Sequence, residues 1–373
     1  MKKILFLTGT RADFGKLKSL IQKVEEHSNF EAYIFITGMH MISKYGMTAN
    51  EVEKVGFKNL YKYINQNGFD SMDIVLSKTI QGLSDYVKEL DPDMIVVHGD
   101  RVEALAGAIV GALNNILVAH IEGGEVSGTI DELIRHSVSK MSHIHFVSNE
   151  KAKSRLLQLG ENPRDVYIIG SPDLDMMKSE SLPNITEVKE RYEITFDRYA
   201  IFMYHPVTTD VENLPRNIKE TVDALIKSKQ NYVVIYPNND HGSSIIINEL
   251  ERLNGNKRFR IFPSIRFECF LTLIENSMFM IGNSSAGIRE TPYYGLPSIN
   301  LGSRQHNRSK AKSIFNTKEE CSSILRLIEK AITCSFDPEN EFGEGKSDEL
   351  FMKALLNREL WETPNQKIFM ESR

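Results

Sequence analysis

Short apolar runs alternate with longer segments of helical spacing along most of the 373-residue chain, and this alternation is its most constraining feature. The runs are too short for buried helices and lack the polar alternation of half-exposed strands, so they predict strands buried on both faces. The segments between them carry apolar residues three or four positions apart, which predicts helices that cover a sheet. The sequence therefore predicts an α/β protein with parallel sheets.

The alternation occurs twice, with a polar stretch between the two series. In the first series the predicted strands and helices are 4–7, 17–26, 33–37, 74–90, 94–97, 104–113, 117–120, 145–147 and 166–169. In the second they are 199–203, 218–228, 232–236, 259–262, 267–276, 279–281 and 298–300. We therefore predict two Rossmann-like domains, divided at 172/173, that face each other across a ligand-binding cleft.

Composition excludes several function classes. A net charge of -5, a pI near 6.1 and no long basic run give no electrostatic signature of binding to nucleic acid or to an anionic membrane. The three cysteines lack metal-ligand spacing and are expected to be reduced thiols. The first apolar run ends at Thr8, too short for a signal peptide, and no run reaches the roughly 18 residues of a membrane span. We expect a soluble, cytoplasmic protein.

Acidic residues follow two neighbouring predicted strands of the first series. Asp100 comes just after one strand and Glu122 just after the next, and Asp131 opens the following helical segment. Asp100 and Asp131 taken singly fit helix N-caps, whereas Glu122 precedes two glycines and has no capping role to explain it. Carboxyl ends of parallel strands share one edge, so the three carboxylates are expected to converge. The nearby histidines lack completing ligands, and no metal site is predicted.

A glycine- and serine-rich turn follows a predicted strand of the second series. Gly282, Ser284 and Ser285 in this turn suit a phosphate site, with a plain N-cap as the open alternative. Glu290 then suits ribose hydroxyls, and Arg304 suits the same anion as a cation.

The first strand-to-helix turn lacks Gly-x-Gly-x-x-Gly, which argues against a nicotinamide oxidoreductase. Arg11 in that turn is expected to bind phosphate across the cleft. His205, which follows the first strand of the second series, is expected on the cleft side, with a structural turn histidine as the alternative.

Six motifs, in this order and spacing, resemble those of the hydrolysing UDP-N-acetylglucosamine 2-epimerases of sialic and legionaminic acid biosynthesis. They are Gly9-Thr-Arg-Ala-Asp13, Thr37-Gly-Met-His40, His98-Gly-Asp-Arg101, the segment 120–131, His205-Pro-Val-Thr-Thr209 and Gly282-Asn-Ser-Ser285. The resemblance implies a GT-B-like fold whose C-terminal helix, in 356–373, returns from the second domain (173–355) to the first (1–172). It also implies a UDP-sugar substrate, no cofactor, and a homodimer or homotetramer.

The resemblance also implies residue roles. The family's catalytic carboxylates fall on Asp100, Glu122 and Asp131. Its UDP-binding positions fall on Arg11, Lys16, His205, Gly282, Ser284, Ser285, Glu290 and Arg304. Where the family commonly continues Arg-Gln-x-Gly-Arg-x-x-Gly, this chain has Asn307 and Ala311 in place of the glycines, which leaves the shape of that loop open.

The chemistry of such an enzyme requires acids and bases on two faces of the sugar. Departure of UDP makes the proton on C2 removable, and elimination gives a 2-acetamidoglucal. Addition of water then inverts C2 without change of oxidation state. We expect Glu122 or Asp131 to transfer the C2 proton and Asp100 to assist at C1. The alternatives are the same reaction on a UDP- or GDP-2,4-diacetamido-2,4,6-trideoxyhexose, a GT-B glycosyltransferase, and a non-catalytic nucleotide-sugar sensor.

Overall fold

The computed structural model describes residues 1–127, 130–178, 182–238 and 240–371, and every strand predicted from the sequence is present. The predicted polar linker includes 179–181, which lie outside the described residues. The strands are β1 Lys2–Thr8, β2 Phe30–Ile36, β3 Leu60–Lys62, β4 Met94–His98, β5 Leu117–Ile121, β6 Ile144–Val147, β7 Val166–Ile168, β8 Ala200–Met203, β9 Tyr232–Ile235, β10 Phe259–Phe262, β11 Met280–Gly282, β12 Ser298–Leu301 and β13 Ile314–Thr317.

Helices connect these strands, and the three longest match the predicted segments 74–90, 17–26 and 218–228. They are α1 Arg11–Glu26, α2 Ala49–Val55, α3 Met72–Leu90, α4 Val102–Leu113, α5 Ile130–Met141, α6 Glu150–Gln158, α7 Asp173–Met177, α8 Ile185–Arg191, α9 Leu214–Ser228, α10 Ser243–Leu250, α11 Phe267–Glu275, α12 Glu290–Tyr293, α13 Cys321–Thr333, α14 Ser347–Leu356 and α15 Arg358–Trp361. Among the described residues, no helix is both long enough and apolar enough to cross a bilayer.

The first sheet is fully parallel, with strand order β3-β2-β1-β4-β5-β6-β7. Residues 4–8 of β1 and 94–97 of β4 are buried because helices cover both faces of the sheet. From β1 the chain moves outward to β2 and β3 on one side, and then starts again at β4 on the other. The switch point of this sheet therefore lies between the carboxyl ends of β1 and β4.

The second sheet repeats this topology with order β10-β9-β8-β11-β12-β13, and all of its strand pairs are parallel. Its core contains the apolar faces of α9, α10 and α13 packed with the strand residues. The switch point here lies between the carboxyl ends of β8 and β11. The predicted fold class, α/β with two parallel-sheet domains, is confirmed.

The chain divides into two compact units whose limits differ from the predicted 172/173 and 355/356. The first unit holds the described residues of 1–125, 131–178 and 342–371, and the second holds those of 182–341 with 126, 127 and 130. The return to the first unit begins at Phe342, whose carbonyl accepts from the amide of Ser171 at 2.7 Å. Asp175 then caps α14 by accepting from the amides of Ser347, at 2.8 Å, and Asp348, at 3.0 Å. These contacts fix α7 and α14 in the first unit.

Candidate functional site

A capping residue of α1 meets the end of β4 at the switch point of the first unit. The amide of Asp13 donates to Oγ1 of the N-cap residue Thr10 at 3.1 Å, and its Oδ2 accepts from the amide of Gly9, the residue before the N-cap, at 3.0 Å. Its other oxygen, Oδ1, lies 2.8 Å from Nδ1 of His98, the last residue of β4. The carboxylate therefore fixes both the helix entry and the orientation of the imidazole.

Glu122 occupies the turn after β5 in a left-handed backbone conformation, with φ at +62°. Its side chain is 2% exposed, and its Oε1 accepts from Ser171 Oγ at 2.5 Å. Its Oε2 lies 3.2 Å from His98 Nε2 and 3.7 Å from Lys16 Nζ. A non-glycine residue in this conformation is strained, which suits a side chain held for function. Hydroxyl, imidazole and ammonium groups thus surround one buried carboxylate.

Lys16 also pairs with Asp173, at 2.8 Å, so one ammonium serves two buried carboxylates. We call the six residues Asp13, Lys16, His98, Glu122, Ser171 and Asp173 the Glu122 cluster. Lys16 was predicted to bind UDP, which stays a prediction, and the structure pairs it with two carboxylates of this cluster. The cluster holds three carboxylates and one lysine, so it carries excess negative charge, which protonation of His98 reduces.

The protonation of His98 follows from these neighbours. Burial by itself lowers the pKa of His98, but the charges of Glu122 and Asp13 and their contacts with the ring outweigh it and raise the pKa to about 9. The imidazole is therefore a cation at neutral pH and forms the centre of an Asp13–His98–Glu122 chain.

The other two predicted carboxylates depend on α5. Arg135 of this helix forms a short ion pair with Asp100 Oδ2, and its Nη1 donates to the backbone carbonyl of Glu122 at 2.8 Å. Asp131 lies one turn before Arg135, on the same helix face. The N-cap of α4 is Arg101, so the capping alternative for Asp100 is wrong. One arginine thus joins the Asp100 carboxylate to the turn that carries Glu122.

In the second unit, Asn283 joins the two strands at the switch point. Its Oδ1 accepts from the amide of His205 at 2.6 Å, and its Nδ2 donates to the carbonyl of His205 at 2.8 Å. Gly282, just before it, has φ at +140°, and a Cβ there would lie 1.9 Å from the carbonyl oxygen of Met203. Only glycine fits this approach of the turn to β8.

Ser284 is an N-cap, as the alternative interpretation held, because its Oγ accepts from the amide of Ala286 at 3.3 Å. The helix it caps is a single 3₁₀ turn, Ser285–Gly287, and Glu290 then begins the four-residue α12. The helical segment predicted after this turn is therefore short, and it contributes little helix dipole. Glu290 is 3% exposed. The hydroxyl of Ser284 still has its proton to donate to an anion.

The ring of His205 has a defined tautomer. Its Nδ1 accepts from the amide of Asn238 at 3.0 Å, so the neutral ring carries its proton on Nε2. His205 is therefore tied into the turn, as the structural alternative held, and its Nε2 is a hydrogen-bond donor.

The loop after β12 shows how the chain accommodates the missing glycine at position 307. Asn307 adopts φ at +59°, the left-handed conformation that asparagine tolerates best after glycine. Arg308 donates to Gln305 Oε1 at 2.7 Å, and Gln305 Nε2 donates to the carbonyl of Asn283 at 3.0 Å. The predicted cation Arg304 has Nη1 3.5 Å from that same carbonyl. Asn307 thus preserves a glycine-type turn that brings this loop against the Gly282 turn.

Arg11 lies in the expected turn but forms a short ion pair with Glu51 of α2. The structure therefore gives it a partner within the first unit. In the described part of the chain, no group of three or more histidine, cysteine or acidic side chains is arranged to hold a metal ion.

Sequence reasoning did not select Asp13, His98, Arg135, Ser171 or Asp173 as site residues. The spacing of Thr10 and Asp13 is a capping-box signal, and His98 ends an apolar strand, but neither pattern indicates that the two side chains meet.

Residues 22–356 match the family described as UDP-N-acetylglucosamine 2-epimerase. The chain is 48% identical over 375 residues to the UDP-N-acetylglucosamine 2-epimerase of Neisseria meningitidis serogroup B. This match covers 100% of this chain and 99% of that protein. It is 30% identical over 360 residues to the UDP-N,N'-diacetylbacillosamine 2-epimerase (hydrolyzing) of Legionella pneumophila, with 95% and 96% covered.

Among solved structures, the chain is similar to Methanocaldococcus jannaschii UDP-GlcNAc 2-epimerase in complex with UDP-GlcNAc and UDP. The TM-score is 0.80 at 22% identity, over 95% of this chain and 99% of that one. This similarity shows a shared fold, which is GT-B-like.

Proposed function

The chain belongs to the UDP-N-acetylglucosamine 2-epimerase family, and from this premise we propose that it hydrolyses UDP-N-acetylglucosamine to UDP and N-acetylmannosamine. The observation that carries the proposal is the arrangement around Arg135, which joins the carboxylate of Asp100 to the turn that holds the buried Glu122. Sequence identity of 48% over the whole chain with a UDP-N-acetylglucosamine 2-epimerase supports the substrate. The hydrolysing outcome is supported by the relative from Legionella, whose name specifies it.

The first half-reaction is an elimination. A carboxylate of the first unit removes the proton from C2 while the bond between C1 and the diphosphate oxygen breaks, which gives 2-acetamidoglucal and UDP. General-base catalysis of this kind contributes about 10² to 10⁴ in rate. Asp131 is our candidate for the base, because α5 carries it one turn from the arginine that holds Asp100.

The second half-reaction is a hydration. Water bonds to C1 and loses a proton, C2 gains a proton on the opposite face, and N-acetylmannosamine results. Asp100 is our candidate for the base that takes the proton from water, because Arg135 holds its carboxylate beside the turn that carries Glu122. No electrons are exchanged with a cofactor in either step.

We assign the binding of UDP to the second unit. The hydroxyls of Ser284 and Ser285 and the guanidinium of Arg304 suit the diphosphate, His205 Nε2 suits a phosphate or uracil oxygen, and buried Glu290 suits the ribose hydroxyls. Arg11 would join this set after exchanging its partner Glu51 for a phosphate. The proposed enzyme is a cytoplasmic homodimer or homotetramer, which light scattering and cell fractionation test.

The decisive experiment is turnover of UDP-N-acetylglucosamine in heavy water, followed by NMR. We expect UDP and N-acetylmannosamine with deuterium at C2. Transfer of an unchanged gluco sugar, without deuterium, would instead identify a glycosyltransferase. Glu122→Gln should lose at least 10²-fold in kcat while it still binds UDP. The exposed Glu89→Gln is the matched control, and a Glu122→Gln enzyme as active as this control would remove Glu122 from the mechanism.

The second candidate substrate is a nucleotide-linked 2,4-diacetamido-2,4,6-trideoxyhexose, which the 30% identity with the diacetylbacillosamine enzyme favours. A substrate panel decides between the two sugars. A kcat/KM at least tenfold higher for the diacetamido sugar would replace the substrate proposed here and leave the reaction type unchanged.

A further inference from the structure

The Glu122 cluster contains a chain of three groups to which the reaction outlined above assigns no proton transfer. Asp13 Oδ1 is 2.8 Å from His98 Nδ1, and His98 Nε2 is 3.2 Å from Glu122 Oε2. The His98 and Glu122 side chains are 9% and 2% exposed. Since Nδ1 is directed at Asp13, Nε2 is the ring nitrogen available for exchange of a proton with Glu122.

We propose that Asp13, His98 and Glu122 form a proton-sharing chain in which Glu122 delivers to C2 a proton that is stored on His98. This inference rests on the proposed epimerase reaction and assigns Glu122 to its second half. Glu122 is the catalytic residue, and His98 and Asp13 are positioning residues that supply and hold the proton.

The surroundings of Glu122 favour this role over that of the first base. Its oxygens already face the hydroxyl of Ser171, the ammonium of Lys16 and the ring of His98, so donors occupy them before substrate binds. A carboxylate engaged by donors in this way is a poor acceptor for a carbon-bound proton. A proton that reaches it from the neighbouring ring can be passed on to carbon.

Asp100 is less suited to storing a proton because its partner is Arg135, which remains charged at all relevant pH values. His98 is the partner that can change its charge. The charged or titratable groups around it are Asp13 and Lys16 from α1, His120 and Glu122 from β5 and its turn, and Asp173 from α7. Burial lowers the pKa of His120, whose neutral ring donates from Nε2 to the carbonyl of Gly99 at 2.8 Å and accepts at Nδ1 from Ser139 Oγ at 3.0 Å.

The step balances as follows in protons and bonds. The Nε2 proton of His98 moves to Glu122 Oε2 and then forms the new C–H bond at C2, using the C1–C2 π electrons of the glucal. Water forms the bond to C1 and gives its proton to Asp100. His98 is left neutral. After product release it regains a proton from solvent, while Asp100 and Asp131 each lose to solvent the proton they accepted. The contact between His98 Nε2 and Glu122 Oε2, at 3.2 Å, is not aligned as a hydrogen bond. Hydrogen bonds between catalytic groups commonly shorten when substrate binds.

The test separates the two half-reactions in the His98→Gln variant. With UDP-N-acetylglucosamine we expect UDP release within about tenfold of wild type, together with accumulation of 2-acetamidoglucal. With 2-acetamidoglucal and UDP supplied directly, hydration should fall 10²- to 10⁴-fold. His27→Gln is the control, because His27 follows α1 at the opposite edge of the sheet. Hydration by His98→Gln at the rate of this control overturns the proposal.

The Asp13→Asn variant provides a second measurement, which also decides the case if His98→Gln does not fold. An asparagine keeps an acceptor for Nδ1 but removes the charge that favours the imidazolium. The alkaline limb of the hydration rate, expected near pH 9 in wild type, should move to lower pH. If the alkaline limb of Asp13→Asn stays at the wild-type pH, the proton-sharing chain is contradicted. Failure of wild type to hydrate 2-acetamidoglucal at all would refute the epimerase function instead.

Discussion

The C-terminal tail fixes the far end of α5 through one lysine. Lys367 Nζ lies 3.0 Å from the carbonyl oxygens of both Ser139 and Lys140, and 2.5 Å from both the carbonyl oxygen of Ser142 and Glu161 Oε2. These carbonyls are among those that the end of a helix leaves unpaired, so the ammonium acts as a C-cap. The same helix carries Asp131 and Arg135 nearer its beginning. Lys367→Met therefore tests both stability and activity.

The loss in the free energy of unfolding caused by Lys367→Met depends on the partners that Glu161 keeps. Breaking a buried ion pair costs about 3 to 5 kcal/mol. Here Glu161 keeps His145 at 3.0 Å and Lys140 at 3.2 Å, and the Lys367 side chain is 22% exposed. We therefore expect a loss of about 2 kcal/mol, which for a unit of this size lowers Tm by about 4 to 8 °C.

Urea and thermal unfolding of Lys367→Met, beside the exposed Lys88→Met as the matched control, measure this loss. Burial raises the pKa of Glu161, but its contacts with His145 and Lys367 outweigh burial and lower it. A carboxylate whose pKa is lowered by folding stabilises the folded state at pH values above its ordinary pKa. The loss of stability in Lys367→Met should therefore be full at pH 7, and it should shrink as the pH falls through the range where Glu161 titrates. The double variant with Glu161→Gln should cost less than the sum of the single changes. Equal stability of Lys367→Met and Lys88→Met would refute the capping role.

Two further predictions concern single buried or strained positions. His40 lies between Thr8 Oγ1, at 3.1 Å, and Thr48 Oγ1, at 2.6 Å, and burial lowers its pKa from 6.5 to about 4. Between pH 7 and pH 5 the unfolded chain therefore binds a proton at His40 that the folded chain does not bind. The free energy of unfolding falls by about 2 kcal/mol over this range because of His40. Urea titrations at both pH values should show that His40→Gln loses this part of the acid sensitivity, and an unchanged difference contradicts it. Asn307→Gly should leave stability and UDP affinity nearly unchanged, whereas Asn307→Val should cost about 1 to 2 kcal/mol because valine resists positive φ. Thermal unfolding and calorimetric UDP titration measure both, and a Val variant as stable as the Gly variant would show that the turn has relaxed.

The two strands that sequence analysis missed show how far hydrophobic patterning reaches. β3 and β13 lie at edges of their sheets, and their residues are mostly half-buried or exposed. An edge strand has only one neighbouring strand and is covered less by helices, so it needs no apolar run. The central strands, covered on both faces, were all visible in the sequence.

Some features of the candidate site were likewise visible in the sequence, and others were not. The sequence indicated that Asp100, Glu122 and Ser284 follow strands, because strand ends are local features of the pattern. Asp13 and His98 are 85 positions apart, and Glu122 and Ser171 are 49 apart. No local pattern marks these pairs as partners.

By itself, the sequence determined the fold class, the central strands and the edges at which acids and serines emerge, because periodicity and turn chemistry act over a few residues. Only the tertiary structure decided that His98 stands between Asp13 and Glu122, that Lys16 joins Glu122 to Asp173, and that the chain returns to the first unit at Phe342. The physical reason is that charge and burial depend on distances in space. Those distances are set when parallel strands align around a switch point, and not by spacing along the chain.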